Sequence, residues 1–529
     1  MTENASAAKP GGTGHERWRG MCALAGLSRK MCYTPPMWLL VACDPAPPAL
    51  PSDSSEDIDS APPASVGESF DVVVVGTGPA GVAAALAAED QGATVVMFER
   101  ATEPGQGMRY AGTATAVDTP WQRAMGVEDS VELASSEWQG ITGEPCDLPG
   151  VMAYLEQSSN ALVWLEQHGF SIGAPKPSTD EGSVPRAHVI MWPPDVAPFT
   201  AIMSGRAAEV RVGVEVSGPL LAEGRVVGVT WRDLLTGEVG ETRAGAVVLA
   251  TGGFLRDLDA VNVVRPDLAA ADPVFESSPT ATGNGLPFLA AIGAARHKPE
   301  QIAAYLHSIQ DPLREEGEAL SLFGISHFIL VGANGLRFTE SAGLSAFEPA
   351  LEAPEGGTWL LGGGEELPYA GFQPPGFNWA DPTVVEDFTL EEVVALGSTE
   401  VFLSDRLDDA VAAAGLDPDA ATEMADYNML AAIGGDDGFG NRLSPDHAVE
   451  GPPWVVIRVH PGLSKNFGGV ATDVSGHVLD ESGVPIPGVY AAGEVAGMIP
   501  GGGSGTGFAG SAGACYYAGW LTGTLAATE

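Results

Sequence analysis

The chain has 529 residues, too many for one ordinary domain and enough for two or three, and its 45 % hydrophobic content allows a sizeable core. Lys and Arg number 25 against 69 Asp and Glu, a net charge of −44 that comes from scarce bases rather than from an acidic tail. Such a surface repels nucleic acid and anionic lipid, which excludes both as direct partners, and it leaves the fold class open.

Residues 1–66 do not read as a folded domain. A basic stretch ends at Arg29-Lys30, and an apolar run follows, ending MWLLVAC at Cys43. The next segment, PAPPALPSDSSEDIDSAPPAS, cannot bury a core and is expected to be disordered. Leu40-Val41-Ala42-Cys43 resembles the lipobox of bacterial lipoproteins, which would make Cys43 the lipidated residue and place the protein in the cell envelope. The other reading is an over-long start followed by an irregular extension, with a cytoplasmic protein. The remaining cysteines, Cys22, Cys32, Cys146 and Cys515, show neither metal-ligand nor disulfide spacing, so no metal site is expected. Cys146 and Cys515 read as small buried hydrophobes.

At Phe70 the character changes. FDVVVVG is an apolar β-branched run, the pattern of a buried parallel strand. It ends in Gly76-Thr77-Gly78-Pro79-Ala80-Gly81; the Ala-rich helix VAAALAAEDQGA follows and stops at Gly92, and TVVMFE is a second strand ending at Glu99. This is a βαβ unit with the dinucleotide fingerprint in its proper context. Gly76 allows the tight turn, Gly78 the close approach of a pyrophosphate, and Gly81 the packing of helix on strand. The helix N-terminus offers unpaired N–H groups to phosphate, and Glu99 can accept hydrogen bonds from a ribose.

Further along, MAYLEQSSNALVWLEQHGF (152–170) reads as an amphipathic helix, and VEVSGPLLAEGRVVGVTWRD (214–233) with ETRAGAVVLA as a small sheet insertion. GAVVLATGGF (245–254) is another buried strand, running into Thr251-Gly252-Gly253. GFQPPGFNWADP reads either as a surface loop or as a lid contact with substrate. DPDAATEMADYNMLAAIG reads as a helix, and IPGVYAAGEVAG (486–497) as a third strand that carries Gly493-Glu494 just past its end. The last stretch, PGGGSGTGFAGSAGACYYAGWLTGTL, is a glycine loop leading into a small-residue helix.

A dinucleotide fingerprint alone leaves NAD and FAD open. GTGPAG with Glu99, TPWQRAMGVEDS, VVLATGG, TGNGLPFLAAIGA, ILVGANGLRFTES, FGGVATD and GVYAAGEVAG occur in an order that resembles the flavoprotein family of fumarate reductase, the succinate dehydrogenase flavoprotein and 3-ketosteroid dehydrogenases, from about residue 70 to 525. The resemblance implies an α/β fold: a Rossmann-like FAD-binding domain, its parallel sheet carrying a small antiparallel insertion, plus an inserted α+β capping domain. The expected boundaries are 67–297 and 451–529 for the FAD-binding domain and 298–450 for the cap.

The resemblance also implies FAD bound in extended form. Gly76, Gly78 and Gly81, with Pro79 and Ala80 in the same loop, fall at its pyrophosphate. Glu99, followed by Arg100, falls at the adenosine ribose. Thr251, Gly252 and Gly253 line the nucleotide, and Gly493-Glu494 meets the ribityl or pyrophosphate portion. The loop ending Gly510-Ser511-Ala512 faces the flavin ring through backbone N–H groups. The stretch Gly105–Gly112 lacks the family's attachment histidine, so binding is expected to be non-covalent, with Gly112 near the cofactor and Arg109-Tyr110 beside the ring.

The dicarboxylate clamp of fumarate reductases is missing. Its proton-donor arginine would fall near Leu344, its histidine pair is replaced by Ser464-Lys465, and its C-terminal arginine falls near Thr506. Ile499 stands where a 3-ketosteroid dehydrogenase has tyrosine. The candidates left for proton chemistry are Tyr305, His307, His460 and Lys465. The family's active-site histidine falls on Tyr305 or His307, Lys465 enters the FGG motif, and His460 precedes a Pro-Gly turn and also fits a structural role. The expected activity is hydride transfer between flavin N5 and a C–C bond activated by a carbonyl, on a non-dicarboxylate substrate, with a separate electron donor or acceptor. Two alternatives are an envelope-tethered flavoprotein that only carries electrons and an NAD-only dehydrogenase.

Overall fold

Valines 72–75 are almost fully removed from water, and each contributes about 1.5–3 kcal/mol of burial free energy. In the computed structural model they form the strand Ser69–Val75 at the heart of a mainly parallel sheet. The structure describes residues 68–142, 148–176, 182–193, 196–325, 327–339, 356–364, 367–375, 387–440, 442–502 and 511–529. The leader with Cys43, the positions Leu344, Thr506, Cys146 and Gly510, and most of the GFQPPGFNWADP segment lie outside these residues.

Ser69–Val75 pairs in parallel with Val95–Glu99 on one side and with Val239–Leu249 on the other. Pro485–Ala491 extends the sheet beyond Val239–Leu249, and Glu209–Val212 extends it beyond Val95–Glu99. The chain order reverses at Ser69–Val75, so a crevice opens at the carboxyl ends of the strands around it, the usual place for a ligand in such sheets. The hairpin Val214–Ala222 and Arg225–Asp233 is the small antiparallel insertion that the sheet was expected to carry: the first half of Val239–Leu249 pairs antiparallel with the hairpin, while its second half pairs with Ser69–Val75 and Pro485–Ala491.

Two helices of small residues pack beneath the sheet. Pro79–Asp90 and Ala512–Ala526 are apolar nearly all round, as a fully buried helix must be. They lie against each other at backbone contact: a Cβ on Gly519 would come within 2.1 Å of Ala80 O, and one on Gly523 within 2.1 Å of Ala84 O. The close approach brings the N-termini of both helices to the same crevice.

A second sheet, of nine strands among the described residues, is mostly antiparallel and centred on the 13-residue strand Trp454–Asn466. Ile302–Gln310 and Thr358–Gly363 flank that strand, and Val274–Phe275 adds to it in parallel. Trp454–Asn466 falls within the span expected for the C-terminal part of the FAD-binding domain, yet its pairing places it in this second sheet. Its long apolar run (WVVIRV) suits a strand buried on both faces of either kind of sheet, so only the pairing distinguishes them. The helix expected at DPDAATEMADYNMLAAIG spans Asp419–Ile433 and ends on Gly434 in the left-handed conformation. A three-stranded sheet of Thr113–Thr115, Ala187–Met191 and Ser171–Lys176 leans on the start of the last helix through a bridge between Ala114 and Ser511. Arg186, 2 % exposed, ties that sheet to Asp129 at 2.6 Å and Glu137 at 2.5 Å.

Candidate active site

The strand ends converge on one cavity of about 440 Å³. Val75, Gly76 and Thr77 supply one wall, Phe98, Glu99 and Arg100 another, and Ala250, Thr251, Gly252 and Gly253 a third. Ala492, Gly493 and Glu494 continue from Pro485–Ala491, and Ser511 and Ala512 from the last helix. From Val95–Glu99 across to Pro485–Ala491 is three strand spacings, about 14 Å, so the cavity is elongated across the sheet.

The glycines behave as their spacing predicts. Gly76 has φ +103°, and a Cβ there would lie 2.2 Å from Ala250 O. A Cβ on Gly81 would lie 2.1 Å from Gly76 O, so this residue serves helix packing and not the cavity wall. Gly78 and Gly252 face open space, with nothing within 4 Å of an added Cβ, and both line the cavity with Pro79 and Ala80. The Gly78 position caps the Pro79–Asp90 helix without a side-chain hydrogen bond, so its first N–H groups remain available to an anion.

Glu99 is held in place by local bonds: Oε2 accepts from Thr77 N at 3.2 Å and Oε1 from Ala101 N at 2.8 Å. Arg100 is paired with Glu215 at 2.9 Å at the same end of the cavity. Glu494 is enclosed by protein. Burial pushes its carboxyl up to about 7, against the opposing pull of the Asn466 N–H, Lys465 and Gly253. Asn466 N donates to Glu494 Oε1 at 2.9 Å, and Asn466 Nδ2 to Glu494 O at 2.8 Å. Gly253 has to be glycine, since a Cβ would lie 2.2 Å from Asn466 Oδ1 and 2.5 Å from Glu494 Oε1.

Two buried oxygens here lack a hydrogen-bond partner among the described residues, Thr251 Oγ1 on the cavity wall and Asn466 Oδ1 behind Glu494. Unsatisfied buried polar atoms, two helix N-termini and a side-chain-free glycine floor together form a cradle that fits a dinucleotide. Gly112 lies off this cavity, where its carbonyl accepts from Ile190 N at 2.9 Å. Tyr110 lines the cavity, and burial pushes its phenol pKa up; Arg109 is exposed and is not part of the wall.

The four candidates for proton chemistry separate. Lys465 lines the cavity, and its Nζ donates to Ser511 Oγ at 3.3 Å. His307 sits behind the wall, with Nε2 2.7 Å from Glu276 Oε1. Tyr305 stacks on the His307 ring at 5.5 Å between centroids and packs into an apolar cluster with Ala303, Phe467 and Ile499. His460 is turned away from the cavity: Nε2 meets Glu400 Oε1 at 2.8 Å and Nδ1 meets Asp272 O at 2.8 Å. That is the structural role its Pro-Gly turn also allowed. Cys515 lines the cavity, and burial pushes its thiol up to about 12, so it stays protonated.

Glu276 and Asn466 were not singled out from the sequence. Asn466 had one available signal, its place directly after Lys465. Glu276 had none, because its partners His307, Ser308 and Ser321 come from other strands. Among the described residues no cluster of His, Cys, Asp and Glu could hold a metal ion, and no helix is long and apolar enough to cross a membrane.

Comparison with known proteins agrees with this geometry. The FAD binding domain family model matches residues 71–510. The chain is similar to a probable fumarate reductase of Shewanella frigidimarina, 28 % identical over 454 residues, covering 84 % of this chain and 73 % of that protein. It is similar to a KsdD-like steroid dehydrogenase of Mycobacterium tuberculosis, 27 % identical over 525 residues, covering 82 % and 91 %. Among solved structures it resembles the open conformation of a flavocytochrome c3 fumarate reductase, with TM-score 0.67 and 25 % identity, covering 87 % of this chain and 78 % of that one.

Proposed function

This chain belongs to the FAD binding domain family and is an FAD-dependent oxidoreductase acting on CH–CH bonds, and from that premise we propose that its substrate is an uncharged or weakly polar molecule whose C–C bond is activated by a carbonyl. The observation that carries the proposal is the charge of the cavity wall away from Glu99. The one cationic side chain described there is Lys465, and a carboxylate, Glu276, shares the wall with it. A dicarboxylate needs several cations and would meet Glu276 at close range in a low-dielectric site. The relatives' printed substrates, fumarate and steroid, therefore differ in how well they suit this wall, and the uncharged type fits better.

Bound FAD would supply two-electron hydride chemistry; the rest falls to the chain. Gly76, Gly78 and the N–H groups at the start of Pro79–Asp90 would hold the pyrophosphate, and Glu99 the adenosine ribose. Thr251 Oγ1 and Glu494 would meet the sugar hydroxyls, which relieves the unpaired Thr251 oxygen. Ser511 and the N-terminus of Ala512–Ala526 place partial positive charge at the other end. Lys465 Nζ adds a full charge there and can hold or deliver a proton. We take the attachment to be non-covalent: among the described residues no histidine lines the cavity, and the Cys515 thiol stays protonated.

The test is anaerobic reduction of the purified flavoprotein followed by mixing with an enone or with fumarate, reading flavin absorbance. The enone should reoxidise the flavin on the order of a hundredfold faster. Equal or faster reoxidation by fumarate would overturn the proposal.

A further inference from the structure

Glu276 is more than a repulsive charge on the cavity wall. It follows the short strand Val274–Phe275, and its own N–H donates to Leu463 O at 3.0 Å. Glu276 lines the cavity wall, as do Ser464 and Lys465. The two carboxylate oxygens are treated unequally. Oε1 accepts three hydrogen bonds, from His307 Nε2 at 2.7 Å, from Ser321 Oγ at 3.0 Å and from Ser308 Oγ. Oε2 receives none from the described residues, although the residue is only 8 % exposed. Gly462 lies directly behind, where a Cβ would come 2.5 Å from Oε1, so the carboxylate is packed onto bare backbone and cannot retreat.

Burial alone pushes the Glu276 carboxyl up. The charge of His307 and the hydrogen bonds from His307, Ser308 and Ser321 outweigh that and hold it below its ordinary value, so it is ionised. An ionised, nearly buried carboxylate on a cavity wall, with one oxygen satisfied three times and the other left without a donor from the described residues, is preorganised to accept from a ligand.

We propose that Glu276 Oε2 accepts a hydrogen bond from a hydroxyl or N–H group of the substrate, so that the molecule acted on carries a donor as well as its activating carbonyl. His307, Ser308 and Ser321 are then positioning residues that fix Oε1. This rests on the carbonyl-activated substrate proposed above. It adds a specificity contact: a site built to hydrogen-bond a donor discriminates strongly against analogues that lack one.

The probes are benzylideneacetones bearing a 4-hydroxy, 4-amino or 4-methoxy group, and the corresponding benzaldehydes as ligands that perturb the oxidised flavin spectrum without turnover. The wild-type holoenzyme should bind the hydroxy or amino aldehyde about tenfold or more tightly than the methoxy one, and kcat/KM for the enones should follow. In Glu276→Gln the amide oxygen is claimed by the three donors at Oε1, which turns the NH2 group into the cavity. The preference should vanish or invert toward the methoxy compound. Glu276→Asp keeps the charge but loses reach, so it should weaken the preference while retaining flavin; it serves as the test if the glutamine variant loads no FAD. Equal wild-type binding of all three aldehydes, no spectral response to any, or an unchanged preference in the variant that loads flavin would overturn the assignment. If the aldehydes are discriminated but no enone is reduced, the contact stands and the reaction reading fails. If the enones are reduced without discrimination, the reverse holds.

Discussion

The cavity's two ends are built on different principles. The end near Glu99 is backbone: glycines at strand ends, the N-terminus of Pro79–Asp90, and a carboxylate fixed by N–H groups two and 22 residues away. The end near Lys465 is side chains from separate segments, with Glu276 just past one strand of the second sheet, His307 and Ser321 on two others, and Ser511 at the last helix. The cofactor end is shaped by local conformation, with no room for a Cβ at Gly76 and open space at Gly78 and Gly252. The substrate end is shaped by charge and hydrogen bonding that tolerates many shapes but few polarities. One cofactor can therefore serve many substrates in such a fold, with specificity changed by a few side chains.

The sharpest way to break this contrast is at the backbone end. Gly76→Ala places a Cβ 2.2 Å from Ala250 O at a φ of +103°. It should cost about 3 kcal/mol or more and leave protein without flavin, read as flavin content and Tm. Glu494→Gln tests the boundary between the ends. Because burial raises the folded-state pKa of Glu494 from 4.5 to about 7, the folded form holds a proton that the unfolded form releases. Stability of the flavin-free wild type should therefore fall as pH rises through that window, by about 3 kcal/mol in all, and the glutamine variant should lose this slope in a urea titration series. A flat wild-type profile would show that Glu494 is ionised when folded.

Lys465→Met addresses the side-chain end alone. Flavin content should hold while the rate of enone reduction drops on the order of a hundredfold, as expected for a lost proton or charge partner. Lost flavin would instead place Lys465 with the cofactor cradle. The smallest effect on activity is expected at His460, which faces neither end. His460→Gln should leave kcat/KM near wild type and cost about 1–3 kcal/mol. Burial lowers the pKa of His460, but Glu400 and Asp272 more than offset this and raise it above 6.5. The stability it lends is full below that pH and is lost as pH rises through the elevated value, so the variant's deficit should be largest in acid.

Much of the cofactor end was legible in the residues alone. FDVVVVG, GTGPAG and TVVMFE form the strand, turn and strand they suggest, because each rests on a run of β-branched residues or on glycines within one βαβ unit. Glu494 could be placed past a strand for the same reason. The substrate end was only partly legible. Lys465 stood out by its place before the FGG motif, but its neighbour Glu276 did not, and nothing local in VFESSPT marks a cavity carboxylate. His307 fell at one of two positions for the family's active-site histidine and His460 before a Pro-Gly turn, and neither context named the partner of its ring. The structure supplies those partners: His307 Nε2 meets Glu276 and His460 Nε2 meets Glu400, each from a distant segment.

The fold class, the dinucleotide cradle and the resemblance from which FAD follows can all be read from the residue order. These depend on short-range sterics: where a Cβ cannot fit, where a strand must be apolar, and where a helix must begin. It took the assembled fold to show that Trp454–Asn466 belongs to the second sheet, that the hairpin after Val214 joins the first, and that Glu276 stands on the cavity wall with three donors on one oxygen. Each of those depends on pairing between segments tens to hundreds of residues apart. Burial and hydrogen-bond complementarity choose among pairings there, and no local pattern encodes the choice.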